Sequence, residues 1–288
     1  MFADPTCATL LVKAWSDAHS CSSIAYPPFF HPPGLKGRDA PNTNTKSTEF
    51  YAAKSKAPST DPVKMSTATF RFSDATVKKT LSEIQADCPG ATSFDMLAAL
   101  FWSRALSAKP PSQAENRSLS ICIDFRKLMF APLPHGFFGN ALHFSSVSSS
   151  AAEIQSGSLG FIAGIIHHHM SSLEEEEYWS TVDWAESRKD DKGRLPPPSR
   201  MYGPELTCAN LENLFAYSSA FEKEGKPVHV GCHVGNVEGE GLILVLPSPE
   251  EGLGRTVTVT LPAEETAKLL NDETILRLQP TVLFGGKA

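Results

Sequence analysis

The stretch "SFDMLAALFWSRALSA", residues 93–108, constrains the fold more than any other. Phe94, Leu97, Ala98, Phe101 and Ala105 recur at three- and four-residue intervals and form a wide apolar stripe, so this helix belongs to a core. Ser93 reads as its N-cap, and Pro110 and Pro111 stop it. On either side lie runs that alternate like strands: "STATFRF" before it and "SLSICIDF" after it. Ser73 or Asp74 caps a helix reaching about Ala86, and a further helix is expected over about Ala151 to Met170. Near the C-terminus "KPVHVGCHVG", "GLILVLP" and "RTVTVTL" read as three extended runs, and "PAEETAKLLND" as a short closing helix. Strands in clusters, without strict βαβ alternation, make the chain mixed α/β or α+β. Its 288 residues suffice for a large core in one lobe or two.

Asp4 stands before Pro5 and a run of helical spacing to about His19, with Cys7, Leu11, Ala14, Trp15 and Ala18 on one face. Asp4 is well placed as the N-cap, with Pro5 at the first helical position, where its missing N–H costs nothing. Residues 26–62 are rich in Pro, Ser, Thr and Asn and read as a long connector; residues 186–204 form a second polar, Pro-rich loop.

With 26 basic against 32 acidic residues the net charge is −6, and no basic stripe is present, which argues against a nucleic-acid partner. No apolar run approaches the roughly 18 residues that span a bilayer. The six cysteines, without a C-x-x-C pair or a leader ahead of them, read as reduced thiols of a soluble cytoplasmic protein.

Three clusters invite functional readings that their surroundings weaken. His167, His168 and His169 sit about 100° apart on a helix and cannot easily converge on one ion, so a solvated helix end is expected and no metal site. The run Glu174 to Glu177 is expected to be solvated as well. Gly235, Gly239 and Gly241 lack the following helix of a phosphate loop and read as a hairpin turn. No G-x-S-x-G elbow marks a serine nucleophile.

Two motifs remain, "CIDFRK" with Asp124 and Arg126, and "HGFFGNAL" with Gly136, Phe138, Gly139 and Asn140. An arginine in an apolar strand is costly to bury unless carboxylates or carbonyls meet its guanidinium. Pairing with Asp124 is expected to be geometrically poor, because neighbours on a strand point to opposite faces.

Several segments, in order, resemble the plant BAHD acyltransferases, which transfer acyl groups from coenzyme A thioesters to alcohols or amines. "ADPTCATLLVKAW" resembles the helix following that family's H-x-x-x-D motif, and "SFDMLAALFWSRALSA" its S-x-F-D-x-L-x-A-x-x-W helix. "IDFRKLMFAPLPHGFFGNAL" is similar to its V-D-x-R … P-P-L-P-x-G-Y-F-G-N segment, and "EGKPVHVGCHV" to the segment after its D-F-G-W-G motif. The resemblance implies two lobes built like chloramphenicol acetyltransferase, facing each other across a channel, with most of the N-terminal lobe missing here. Residues 1–25 would be the tail of the first lobe, 26–62 the crossover, and 63–288 the second lobe, with about 226–247 crossing back to the first lobe's sheet.

The resemblance also implies roles. Asp4 would be the motif aspartate and Arg126 its ion-pair partner, holding the loop that presents a general-base histidine. Asn140 would be the asparagine of Y-F-G-N, with Phe137 where the family often has tyrosine. The channel would be lined by the Arg126–Asn140 segment and residues near Phe221.

Two departures matter. Four residues before Asp4 falls ahead of Met1, so the base is expected outside this chain, and His135, His143, His229 and His233 are not at its position. Aligning on Gly225, Lys226 and Pro227 puts Phe221 to Glu224 where D-F-G-W stands, and a one-residue slip offers only Ala220 for the aspartate. Little or no acyl transfer is therefore expected of the chain as written, with acyl-CoA as co-substrate and no resident cofactor. The alternative is a non-catalytic, eceriferum-like accessory of very-long-chain fatty-acid elongation for cuticular wax, with an elongase partner at the endoplasmic reticulum. A shortened lobe would also expose the apolar face of its first helix.

Overall fold

The computed structural model describes residues 3–31, 36–42, 45–56, 63–110, 115–128, 133–134, 136–195, 203–222 and 225–285. In chain order these form α1 (Pro5–His19), α2 (Lys46–Lys54), β1 (Met65–Phe72), α3 (Asp74–Ile84), α4 (Ser93–Ala108), β2 (Asn116–Asp124) and β3 (Leu142–Ser150). Next come α5 (Ala151–Ser156), α6 (Leu159–Ser171), α7 (Glu175–Glu186), β4 (Leu206–Asn210), β5 (Leu242–Pro247), β6 (Arg255–Pro262), α8 (Ala263–Leu269), α9 (Glu273–Arg277) and β7 (Thr281–Phe284). The expected mixed α/β class is what the chain adopts.

The strands make one seven-stranded sheet in the order β3-β2-β4-β5-β6-β1-β7. The β2–β4 and β4–β5 pairs are parallel, and the rest antiparallel. On β2 the side chains of Leu119, Ile121 and Ile123 enter the main core while Cys122 joins a smaller cluster on the opposite face. Burial on both faces is why this strand reads as continuously apolar.

Helix α4 occupies the main core. All its residues but Arg104 and Ser107 are buried, because α5, α6, α8 and β5 pack around it. The Phe101 ring lies 5.5 Å from that of Phe70 on β1. Thr92, not Ser93, is the N-cap: its hydroxyl accepts from the Asp95 amide while the Asp95 carboxylate accepts from the Thr92 amide, a reciprocal box that outcompetes the serine.

Several other expectations are corrected. The connector contains α2, begun by a Thr45 cap; its Phe50 and Tyr51 pack on the smaller cluster, so tertiary burial supplies what a weakly periodic sequence did not advertise. The helix expected over 151–170 is two, because Ser158 caps a new helix after Gly157. Residues 226–241 form no strand. Accordingly Gly235, Gly239 and Gly241 turn a loop rather than a hairpin, and Gly239, at φ +67°, packs against Pro204. The segment expected to cross to another sheet, 226–247, ends in β5, an interior strand held by β4 and β6. Past α8 the chain adds α9 and the edge strand β7, which pairs with β1.

On α1 the buried face is Cys7, Leu10 and Ala14, one residue round from the expected stripe, while Leu11, Val12 and Trp15 are exposed, Trp15 by 64 %. The helix turns inward the side that carries Asp4's hydrogen-bonding partners, and leaves the larger apolar side chains outward.

Candidate functional site

Two distant parts of the chain meet beneath α1. Asp4 is 1 % exposed. Its Oδ1 accepts the Cys7 amide at 3.0 Å, the expected N-cap bond, and its Oδ2 accepts the Ala141 amide at 2.8 Å from the segment leading into β3. The third partner is Arg126, 3 % exposed, whose Nη1 lies 2.9 Å from Asp4 Oδ2.

Arg126 reaches this position because β2 ends at Asp124 and a short 3₁₀ turn, Phe125–Lys127, follows. Asp124 caps that turn, its Oδ1 accepting the Arg126 amide at 2.9 Å, and its Oδ2 lies 2.9 Å from Arg126 Nη1. Local pairing with Asp124, expected to be poor, is therefore present. The strand geometry assumed for it does not apply past Asp124, and residues two apart on a strand share a face in any case. Burial would lower the Arg126 pKa, but the hydrogen bonds and charges of Asp4 and Asp124 outweigh it and hold the guanidinium protonated.

The remaining guanidinium donors go to backbone. Nη2 donates to Gly139 O at 2.8 Å and to Phe137 O at 3.3 Å, and Nε to Phe137 O at 3.3 Å. The Phe137 ring lies 5.6 Å from Arg126 Cζ, in cation–π range. Gly139 must be glycine because a Cβ would sit 2.3 Å from the Phe137 ring; at Gly136 it would sit 2.3 Å from Pro27 O. That close approach lets residues 136–138 pair with Phe29: the Phe29 amide donates to Gly136 O, and the Phe138 amide to Phe29 O.

Sequence reasoning missed two members of this clasp. Cys7 Sγ accepts from the Gly139 amide at 3.1 Å and from Arg126 Nη2 at 3.2 Å, and donates to Gly139 O at 3.0 Å. Burial and the Asp4 charge push this thiol up, so it stays protonated. Thr6 Oγ1 donates to Asp124 Oδ2 at 2.6 Å. A thiol and a hydroxyl near a helix start give no sequence signal of their own.

Beside the clasp lies a cavity of about 500 Å³, bounded by Thr6, Asp124, Arg126, Asn210, Asn213 and Phe215 among others. It opens at the carboxyl ends of the parallel strands β2 and β4, where open α/β sheets place ligands. A second cavity, of about 240 Å³, shares Leu214 with the first and is walled by Pro5, Val12, Cys232 and Leu246.

A family model described as the Transferase family matches residues 1–275. The chain belongs to this family, the BAHD acyltransferases. Among its relatives, shikimate O-hydroxycinnamoyltransferase of Nicotiana tabacum is 24 % identical over 271 residues, covering 91 % of this chain and 62 % of the relative. A hydroxycinnamoyltransferase of Narcissus pseudonarcissus is 26 % identical, covering 92 % and 62 %. The chain thus spans about three fifths of the length of the curated relatives it matches. Among solved structures, TRI101 of F. sporotrichioides complexed with coenzyme A and T-2 superposes with a TM-score of 0.76 at 15 % identity, covering 98 % of this chain and 65 % of that one. Vinorine synthase gives 0.63 at 15 %, covering 94 % and 60 %. At such identity these structures speak for the fold.

The other residues singled out from the BAHD resemblance lie apart from the clasp. Asn140 is exposed and its Oδ1 accepts the Leu142 amide at 3.2 Å. The Phe138 ring packs on Phe30, with centroids 5.2 Å apart. Gly225 closes a turn on Glu222, Lys226 is exposed and 4.0 Å from Glu251, and Pro227 comes next. None of these three contacts the clasp among the described residues. Phe221, expected on the channel, instead stacks edge-on against Trp15 of α1 at 4.9 Å, since α1's exposed face gives it apolar cover.

His135 lies outside the described residues. His143 is buried with its Nε2 3.1 Å from Ser47 Oγ, and burial together with His169 pushes its pKa down to about 3. His229 sits beside Arg71 and His233 is exposed. Of the side chains expected to be solvated, His168, Glu174 and Glu175 are exposed, and the rest are corrected. His167 Nδ1 meets Asp95 at 2.9 Å and His169 Nε2 meets Ser145 Oγ at 2.8 Å. Glu176 pairs with Arg38 at 2.7 Å, and Glu177 accepts the Ser47 amide. The packing of α6 against α4 and of α7 against α2 brings those partners within reach. Among the described residues no three His, Cys, Asp or Glu side chains gather as a metal site, and no helix is long and apolar enough to cross a membrane.

Proposed function

We propose that residues 63–288 form the second lobe of an acyltransferase that moves an acyl group from a coenzyme A thioester to an alcohol or amine. The observation that carries the reading is the buried Asp4–Arg126 clasp, closed on Gly139, at the edge of a ligand-sized cavity. The start of α1 and the Gly136–Ala141 segment are locked together there, so whatever precedes Asp4 is presented at a defined place.

In this reaction the acceptor oxygen or nitrogen attacks the thioester carbonyl carbon, a C–O or C–N bond forms, and the C–S bond breaks. A base takes the acceptor's proton and returns it to the departing thiolate. On the H-x-x-x-D pattern that base would be a histidine four positions ahead of Asp4. Asp4 and Arg126 are positioning residues, and acyl-CoA is a co-substrate with no resident cofactor invoked. The hydroxycinnamoyl names of the relatives support an aromatic acyl group on the donor. Residues 1–25 then belong to a first lobe and 26–62 to the crossover. The six cysteines carry no disulfide, which supports a cytoplasmic setting.

The test is calorimetric binding of p-coumaroyl-CoA to the 288-residue chain, with thiol release followed in parallel. Saturable binding without release is expected, and release once an N-terminal segment places a histidine four positions ahead of Asp4. Failure to bind the thioester, or turnover by the 288-residue chain that survives replacement of each of its nine histidines, would overturn the proposal.

A further inference from the structure

The charges bounding the larger cavity do not balance. Its lining includes Arg126 and Asp124, and Asp4 stands directly behind Arg126. Among the described side chains one guanidinium thus faces two carboxylates, leaving a surplus of one negative charge. Crediting the N-terminus of α1 with about half a positive charge reduces the surplus without cancelling it. The other lining residues among those described, including Tyr26, Asn210, Asn213 and Phe215, carry no charge.

The distribution of hydrogen-bond donors points the same way. A guanidinium has five N–H donors. Those of Arg126 are directed at Asp4, Asp124, Cys7 and the carbonyls of Phe137 and Gly139. None is left to clamp a carboxylate in the cavity. Asp124 differs: its side chain is 23 % exposed and its Oδ1 has accepted only the Arg126 amide, so a lone pair remains for a donor arriving from the cavity. Across the cavity the Tyr26 and Phe215 rings lie 5.0 Å apart at 42°, an aromatic wall that suits both an aryl group and an ammonium.

Resting on the acyl-transfer reading, we infer that this cavity is the acceptor site and that it selects an aryl-substituted amine over an acceptor bearing a carboxylate. The ammonium meets Asp124 on binding and loses one proton to solvent before its nitrogen lone pair attacks, and the aryl group lies on Tyr26 and Phe215. Among the described side chains a carboxylate there would find a surplus of its own charge and no free cationic donor. A volume of about 500 Å³ falls within the roughly 300–1,000 Å³ typical of small-molecule sites.

The experiment is calorimetric titration of the 288-residue chain, at neutral pH and low salt, with phenethylamine and with 3-phenylpropanoate, similar in size and opposite in charge. The amine is expected to bind about tenfold more tightly, with the margin shrinking as salt is added. Asn213→Asp, at the exposed rim, should widen the margin and Asn213→Lys should narrow or reverse it. Equal or tighter binding of the carboxylate overturns the inference, as does amine binding unaffected by Phe215→Ser, which would locate it elsewhere. Coenzyme A is titrated in parallel. Amine failure with coenzyme A binding intact sinks this inference alone, whereas failure of coenzyme A sinks the acyl-transfer reading.

Discussion

Replacing Arg126 by methionine removes a guanidinium whose Nη1 stands 2.9 Å from both Asp4 and Asp124 and whose Nη2 holds Gly139 O at 2.8 Å. Breaking a buried ion pair by deleting one partner costs about 3–5 kcal/mol, because the other charge is left buried. Asp4 keeps two backbone donors, the Cys7 and Ala141 amides, which places the expected loss at the lower end, about 3 kcal/mol. Against a total stability of about 5–15 kcal/mol that is a large share. Arg126→Lys keeps the charge but not the planar fork, and should lose about 1–2 kcal/mol through the unmet carbonyls. The double variant Asp4→Asn/Arg126→Met removes both charges and should cost less than the two single losses added together, by about 1 kcal/mol or more. Urea unfolding at constant slope is the assay, and 3 kcal/mol should move the midpoint by about 1 M. A loss below about 1 kcal/mol for Arg126→Met, or strict additivity in the double variant, would refute the claim that the clasp joins α1 to the Gly139 segment.

Three further outcomes are expected. Burial and His169 hold His143 at a pKa of about 3, against about 6.5 when unfolded. Its contribution is therefore complete above pH 6.5 and is lost as pH falls from there toward 3, by up to about 1.4 kcal/mol per unit. Urea unfolding at descending pH should show a shallower slope in His143→Gln, and an unchanged slope would contradict this. Cys7→Ala leaves the Gly139 amide unmet and removes one of three acceptors around Arg126 Nη2, so thermal unfolding should show a loss of about 1–3 kcal/mol, with Cys7→Ser recovering part of it. Phe101→Ala, at a fully buried site beside Phe70, should cost about 3–5 kcal/mol by the same measurement; a loss under 1 kcal/mol would deny α4 its place in the core.

Much of the fold was legible because the signals were local. The α4 stripe, the extended runs of β1 and β6, and the Asp4–Pro5 helix start each reside in a few consecutive residues and were found where expected. Elements that failed to show depend on distant partners. Helix α2 owes its stability to the face it lays on the sheet, and β7 to pairing with β1. Of the site, the need of Arg126 for a partner was visible because burying an arginine is costly, and Asp4 was marked as that partner by the BAHD resemblance alone. Thr6, Cys7, Asn210, Asn213 and Phe215 were not visible, since neither a thiol nor an asparagine carries a mark of the cavity it will line.

By itself the sequence determined that a helix would start at Asp4, that an apolar helix would fill a core, and that Arg126 would need an anionic partner. Those requirements arise from capping, periodicity and desolvation, which act within a few residues. Only the tertiary structure decided which carboxylates meet Arg126, that Cys7 would share in the clasp, and that α1 would turn Trp15 outward. It also decided that the described side chains bounding one cavity would include two carboxylates set around a single guanidinium. Charge balance is a sum over groups brought together in space, and the 3₁₀ turn after β2 is what sets Asp124 and Arg126 together against Asp4.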